Sequence, residues 1–461
     1  MKKLRFGSVI AFLSLIILIN VNGQSLKKDV LVGNWNPASK EKTETNDLEK
    51  LLYELPAVIF KKLEPSPSSE STYLIKIKQP IDHDDVSKGF FYQKVFLSHK
   101  GFDRPTVIVT EGYAMWENSD YELTELLNAN QIKVEHRYYG ESMPDSIDYR
   151  YLSFEQAAAD YHYVQQLFSR IYKGKWISTG HSKGGVGAII YRYFYPDDID
   201  VCVPLAAPII LSNSDQRFIA FLDTIFGADC SDKIRSFQIR LLENRESILP
   251  LIELYALGAK LKFTYLSLEQ AFEYAVLEYP SCLLEYSSCE EIPDDDESIP
   301  NIVKHFLTVL KFHWFGDEFI NNFGSYFYQA ATEMGGYGYN TKDLENLLVA
   351  IPIVQDPRSI FIPGNMSVKY DGRLMNDVIE WLNSKGDKFI YVYGAMDYWS
   401  AGAVTPNKNV DSEWFFLKDK RHLETLETNV SEMTDSERKK MISILENWLS
   451  LEIEDVFHNK E

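Results

Sequence analysis

Cysteine is scarce, basic charge is in deficit, and long apolar runs are nearly missing from this chain of 461 residues. The four cysteines, Cys202, Cys230, Cys282 and Cys289, fall in no metal-ligand spacing, which argues against a zinc site. In an oxidising compartment Cys282 and Cys289 could close a short loop, while Cys202, in a predicted core strand, reads as a buried free thiol. The 47 basic side chains are outnumbered by 67 acidic ones, for a formal net charge of -20. That balance argues against nucleic acid or an anionic membrane surface as partner. It suits ordinary solubility, and also a cationic ligand. No internal repeat is visible.

The one marked hydrophobic run, Val9 to Val21, follows Lys2, Lys3 and Arg5 and ends at Asn22-Gly23-Gln24. A basic start, an apolar middle and a small residue at the cut make a secretory signal, residues 1–23. The run is too short to span a bilayer well and no second stretch of spanning length follows, so no stable membrane anchor is expected. No cysteine lies near the cut, which argues against a lipoprotein anchor. The expected location is secreted or periplasmic.

What is present is enough to fill a large core: 45% of residues are apolar and 14% aromatic, which excludes global disorder. A helical patch is expected over Leu48 to Leu63, and Tyr73–Lys78 with Phe90–Ser98 alternate as an antiparallel strand pair. Pro105–Thr110, Gln131–Glu135, Trp176–Thr179 and Ile199–Leu205 read as buried strands, with a long helix over Phe154–Tyr172. After Pro208 the texture turns helical and aromatic until about Lys385; Phe389–Gly394 and Glu413–Leu417 then return to strand, and Asp435–Leu451 closes as a helix. The expectation is an α/β sheet in two parts, residues 24–210 and 386–461, interrupted by a helical cap at 211–385. That interruption is far longer than the ~30 residues of a plain crossover unit. A cap of this kind would lie over the carboxyl ends of the strands, where such sheets carry ligands. The acidic run Glu290–Glu297 inside it reads as a solvated loop.

Gly180-His181-Ser182-Lys183-Gly184 matches G-x-S-x-G between a predicted strand and a predicted helix, the setting of a nucleophile elbow. There the serine Oγ projects above the sheet, and the Lys183 amide opens a helix whose N–H groups can stabilise an oxyanion. A serine needs a histidine to take its proton and a carboxylate to orient that histidine. The chain order for such sheets is Ser, acid, His, each just after a strand. Asp397 follows the strand Phe389–Gly394, and His422 follows Trp414–Leu417. His305 and His313 fall in cap helices and His458 near the C-terminus, which leaves His422 as the downstream histidine in the expected place. A second oxyanion donor is expected from Gly112 or Tyr113, in the loop after Pro105–Thr110. Glu111 reads either as structural or as a partner for a substrate amine, and His181 as structural.

Glu135-His136-Arg137-Tyr138-Tyr139-Gly140-Glu141-Ser142 resembles the EHRYYG-[EK]-S motif of the lysosomal prolyl carboxypeptidase and dipeptidyl peptidase family. Gln79-Pro80-Ile81-Asp82-His83 is similar to that family's Q-x-x-D-H, and Met396–Gly402 to its acid loop, with Tyr398 in place of proline. The elbow departs from that family's GGSYGG; GHSKGG is similar to the related secreted bacterial prolyl tri/tetrapeptidyl aminopeptidases. The resemblance implies a capped α/β-hydrolase that removes short peptides from free N-termini after proline, through Ser182, Asp397 and His422 and without metal or organic cofactor. By its match to the acid loop, Trp399 becomes a candidate wall of the substrate pocket. Aromatic residues of the cap (Phe312, Trp314, Phe315, Tyr326, Phe327, Tyr328) could enclose a proline ring, although helix packing accounts for most of them. An esterase or acylaminoacyl hydrolase would use the same three residues. A secreted binding protein that keeps the hydrolase shape is the non-catalytic alternative.

Overall fold

A computed structural model describes residues 47–66, 68–351, 361–362, 366–425 and 429–458, so the expected secretory segment lies outside the described residues. The chain divides into two units, Met1–Leu51 and Leu52–Glu461. The sheet, the helical segment and the candidate site all belong to the second.

Among the described residues nine strands form one sheet: β1 (Val58–Leu63), β2 (Ser71–Pro80), β3 (Phe90–His99), β4 (Thr106–Thr110), β5 (Asn130–Val134), β6 (Trp176–His181), β7 (Val201–Leu205), β8 (Ile390–Gly394) and β9 (Glu413–Leu417). Their order is β1-β2-β3-β5-β4-β6-β7-β8-β9. The β1–β2, β2–β3 and β3–β5 pairs are antiparallel; every pair from β5 to β9 is parallel. The parallel strands β4, β5, β7 and β8 are buried along their whole length, which is why β4, β7 and β8 read as apolar runs rather than alternating ones. Helix α1 (Phe154–Phe168) leads into β6, and α2 (Lys183–Phe194) leads out of it. This is the α/β-hydrolase sheet.

The helical patch expected over Leu48–Leu63 is corrected at its second half. The helix Asp47–Glu54 stops before Pro56, and Val58–Leu63 pairs in antiparallel register with Thr72–Ile77 as an edge strand. Between β7 and β8 the chain forms α3 (Arg217–Glu243), α4 (Arg245–Gly258), α5 (Leu268–Tyr286), α6 (Ile299–Val309) and α7 (Arg373–Lys385). Phe312, Phe315 and Phe327 are buried in the core shared by α3 to α6, so packing accounts for these three aromatics. Among the described residues no helix is long and apolar enough to cross a membrane.

The cysteine expectation is also corrected. Cys289 is bonded to Cys230 on α3, with Cα atoms 5.9 Å apart, and Cys282 is a buried free thiol. Cys282 lies in α5 with its side chain in the helical core, whereas Cys289 falls beyond the end of that helix, where the chain meets α3. Sequence proximity therefore pointed to the wrong partner. Cys202, on β7, is buried and free.

Candidate active site

The elbow is tight because backbone meets backbone on both sides of the serine. A Cβ on Gly180 would stand 2.5 Å from the Thr110 carbonyl oxygen and 2.6 Å from Gly184, so only glycine fits. Thr110 closes the contact from β4 by donating its hydroxyl to the Gly184 carbonyl at 2.8 Å. Ser182 takes φ 55° and ψ −124°, a left-handed conformation unusual for a side-chain-bearing residue and maintained by the packing around it. Its amide is pinned to the Leu205 carbonyl at 2.8 Å, and its own carbonyl accepts the Val186 N–H at 3.0 Å, which starts α2. The N–H groups of the first turn of α2 stay outside the helix's own bonding, as at any helix start.

Asp397 and His422 arrive on the loops that follow β8 and β9. Asp397 is fully buried; its Oδ1 accepts the Trp399 N–H at 2.7 Å and its Oδ2 meets His422 Nδ1 at 2.8 Å. A carboxylate only accepts, so Nδ1 carries the hydrogen and Nε2 of the neutral ring is left as a base. Burial works against a charged His422, but the Asp397 carboxylate outweighs it and raises the imidazole above its ordinary pKa of 6.5. The loop is held from the helical segment: Arg421 donates to the carbonyls of Glu285 and Ser287 at the end of α5, at 3.0 and 3.2 Å. The ring of His422 lies 4.7 Å from the ring of His181, the residue just before Ser182. His181 meets Thr425 Oγ1 at 3.3 Å, and burial with the nearby His422 holds it neutral.

The loop after β4 lies against the elbow. A Cβ on Gly112 would come within 2.7 Å of the Gly184 amide nitrogen and 2.8 Å of Lys183 Cβ, and the Gly112 carbonyl accepts from Lys183 Nζ at 2.7 Å. Tyr113 is half-buried and its ring packs edge-on to Tyr139 and Phe323. Glu111 is turned to Lys133, 3.2 Å away, and so meets an internal cation. Trp399 stands 6.1 Å from His422 between ring centroids and packs against Phe218 and Tyr337 at 5.8 and 5.5 Å, an aromatic wall beside the histidine.

Two acidic residues on α5 are absent from the sequence reading. Glu285 accepts the Leu423 N–H at 3.4 Å; burial raises its pKa, and its charge helps to raise that of His422. Glu278 accepts the hydroxyls of Tyr337 and Tyr339 at 2.6 and 2.5 Å. It lines a cavity of about 210 Å³ between α3 and α5 that Tyr398, the neighbour of Asp397, also borders; Ser182, Asp397 and His422 themselves do not line it. Neither glutamate stands out in sequence from the other acidic residues of a strongly acidic chain. Among the described residues no cluster of His, Cys, Asp and Glu has the arrangement of a metal site.

Two of the motifs that carry the resemblance, 79–83 and 135–142, meet in a buried ion pair. Arg137 is fully buried, donates through Nε and Nη2 to both oxygens of Asp160 at 2.7 Å, and reaches the carbonyls of Ile81 and Tyr151 through Nη1. His83 meets the same Asp160 at 2.8 Å, so the stretches around 79–83 and 135–142 lock together on one carboxylate.

The PS-10 peptidase S37 family matches residues 42–422. The prolyl tri/tetrapeptidyl aminopeptidase of Streptomyces mobaraensis is 28% identical over 412 residues, 87% of this chain and 85% of that protein. The lysosomal Pro-X carboxypeptidase of Bos taurus is 32% identical over 197 residues, 37% of this chain and 40% of that protein. Among solved structures, VinJ aligns with a TM-score of 0.37 at 12% identity, over 81% of this chain and 98% of the other. The proline iminopeptidase of Mycobacterium smegmatis aligns with a TM-score of 0.36 at 12% identity, over 81% and 98%. With the family spanning most of its length, the chain belongs to the PS-10 peptidase S37 family and is a serine-type peptidase.

Proposed function

We propose that this protein is an exported exopeptidase that releases short peptides from free N-termini by cleaving after proline. The observation that carries the reading is the His422–Asp397 pair at 2.8 Å, on loops following β8 and β9, with its imidazole beside the residue that precedes Ser182. In this reading Ser182 attacks the prolyl carbonyl as His422 Nε2 takes its proton, and Asp397 holds the ring and stabilises the imidazolium. The oxyanion rests on the Lys183 N–H and on an N–H of the Gly112–Tyr113 loop. His422 then gives its proton to the leaving amine, and water, activated by the same histidine, releases the acyl group.

The substrate preference draws on the aminopeptidase relative, which covers 87% of the chain, and on the surroundings of the histidine. Trp399 and Tyr337, both half-buried and backed by the fully buried Phe218, offer flat apolar faces suited to a proline ring. Glu278 and Glu285, seven residues apart on α5, supply negative charge for a substrate's ammonium. At 1.5 Å per residue they are separated by about 10 Å, close to the length of a tripeptide. Glu285 touches the loop of His422, so Glu278 stands where the amine of a tripeptide would end. In this reading residues 24–210 and 386–461 make the hydrolase domain and 211–385 a cap that limits the entry of folded chains. The Cys230–Cys289 disulfide fits an oxidising destination, secreted or periplasmic.

Kinetics on Xaa-Xaa-Pro-Xaa peptides with free and acetylated N-termini test the reading, with Ser182→Ala as control. Free peptides should be cleaved after proline and acetylated ones hardly at all, and Ser182→Ala should lose turnover while keeping its melting temperature. Equal cleavage of both forms, or full activity in the alanine variant, would refute it.

A further inference from the structure

The Lys183 side chain is 3% exposed, although it belongs to a lysine at the mouth of a catalytic elbow. Burying an ammonium is expensive unless a counter-ion accompanies it. Among the described residues no carboxylate lies within ion-pair distance of Nζ. Burial accordingly drives its pKa well below the ordinary lysine value, with Glu333 pulling weakly the other way. Nζ has one hydrogen-bond acceptor, the Gly112 carbonyl at 2.7 Å. It otherwise faces the rings of Tyr139, Phe154 and Tyr113, 4.8, 5.6 and 5.6 Å from their centroids. Charged or neutral, the amine keeps an N–H to donate to that carbonyl.

The Gly112 carbonyl and the Tyr113 N–H share one peptide plane. In a trans peptide they point to opposite sides, and the described chain has no cis bonds. Holding the carbonyl down on Nζ therefore turns the Tyr113 N–H the other way. That N–H has no acceptor among the described residues, while the Tyr113 carbonyl is held by the His136 N–H at 3.4 Å. Gly112 itself is wedged against Gly184 and Lys183, so the loop has little freedom to turn over.

We propose that the Lys183 side chain is a positioning residue: by pinning the Gly112 carbonyl it selects the N–H of Tyr113, rather than that of Gly112, as the second oxyanion donor. The inference rests on Ser182 being the nucleophile, as proposed above. It adds that one residue acts twice on one reaction, donating its backbone N–H to the oxyanion and aiming its partner's N–H through its side chain.

Lys183→Met tests it, since the thioether chain fills the space among the three rings and removes only the donor. With kcat normalised to sites titrated by a fluorophosphonate, kcat should fall roughly 10- to 100-fold, somewhat less than complete loss of an oxyanion donor. KM should stay within twofold. Inhibition by an Xaa-Xaa-prolinal aldehyde, which forms the tetrahedral adduct, should weaken by the same factor as kcat, while the product Xaa-Xaa-Pro acid should bind as before. A lysine that merely supports the fold would change the fraction of titratable sites and the melting temperature and leave kcat per site alone; that result overturns the proposal, as does equal weakening of aldehyde and product. If the variant does not fold, a crystal structure of the unaltered protein with the aldehyde decides. The Tyr113 nitrogen should lie 2.7–3.1 Å from the adduct oxygen with Lys183 Nζ still on Gly112; an adduct oxygen on the Gly112 nitrogen overturns it. Failure of the peptidase reading itself would show separately, as turnover by Ser182→Ala.

Discussion

Asp397 and His422 sit 25 positions apart in sequence, yet placement after a strand was enough to single out both, because a parallel sheet delivers loop residues to one edge. The same reasoning could not find Glu278 or Glu285, since a helix offers no comparable rule for which of its acids faces a site. Nor could it see the second role proposed for Lys183: residue type says nothing about a side chain that turns back to a neighbouring carbonyl. The histidine–aspartate pair has a direct consequence for pH dependence. In the proposed mechanism His422 serves as base only when neutral, and the Asp397 carboxylate holds its pKa above 6.5. Activity should therefore fall, as pH is lowered, through a value above 6.5. In Asp397→Asn the raising influence disappears while burial still opposes the charge, so the acid limb of kcat/KM should move to lower pH. The plateau should drop by about 10⁴-fold, since the amide also favours the wrong tautomer. A pH–rate profile of the two proteins checks both the direction and the size; an unmoved limb would mean that another group sets it.

Elements were legible in proportion to how completely they are buried. Strands β4, β7 and β8 show their boundaries within a residue or two as apolar runs, and β9 lies where Glu413–Leu417 was expected. The edge strand β1 was hidden because its exposed face breaks the pattern, with Lys61 and Lys62 imitating a polar helix face. Helix α4 escaped notice since Leu254 and Leu257 are exposed, which blurs the apolar stripe. A single turn of π-helix, Ala330–Met334, was likewise beyond reach of periodicity. That turn carries Glu333, whose Oε1 accepts the Phe154 N–H at the start of α1 at 2.8 Å and the Gln329 amide at 3.1 Å. Burial raises its pKa from 4.5 to about 7. The folded protein thus binds this proton more tightly than the unfolded chain does. The stabilisation is complete below the unfolded value of 4.5 and is lost as pH rises through about 7. Glu333→Gln, which imitates the protonated acid, should leave stability unchanged at pH 4. At pH 8 it should raise it by about 1–2 kcal/mol, the lower part of what such a shift allows because the residue is partly exposed. Thermal or urea unfolding at the two pH values measures this; a variant less stable at both would place the carboxylate's value in its hydrogen bonds instead.

For the molecule as a whole, the helices between β7 and β8 meet the loops after β8 and β9 through α3, whose Phe218 packs against Trp399, and through the last turns of α5. Its C-terminal carbonyls hold Arg421, its Glu285 holds the Leu423 amide, and its Glu278 borders the cavity next to Tyr398. The helix α5 therefore carries both support for the loop of His422 and the acid farthest along the proposed path of the substrate. This arrangement predicts a division of labour that substitutions can separate. Glu278→Gln keeps an oxygen to accept from Tyr337 and Tyr339, so the fold should be retained while the charge is lost. Against free-amine Xaa-Xaa-Pro substrates kcat/KM should fall about 10- to 100-fold, the range expected for one charge-assisted hydrogen bond. The slow turnover of the acetylated peptides should change by less than twofold, because they bring no ammonium to the cavity. The acid limb of the pH profile should also stay put, since Glu278 is not among the groups that set the charge of His422, whereas Glu285→Gln should lower that limb. Measuring both substrate sets and both profiles on the two variants gives four comparisons. Equal losses on free and acetylated peptides in Glu278→Gln would show that the cavity is a packing defect between α3 and α5, and that the free amine is recognised elsewhere.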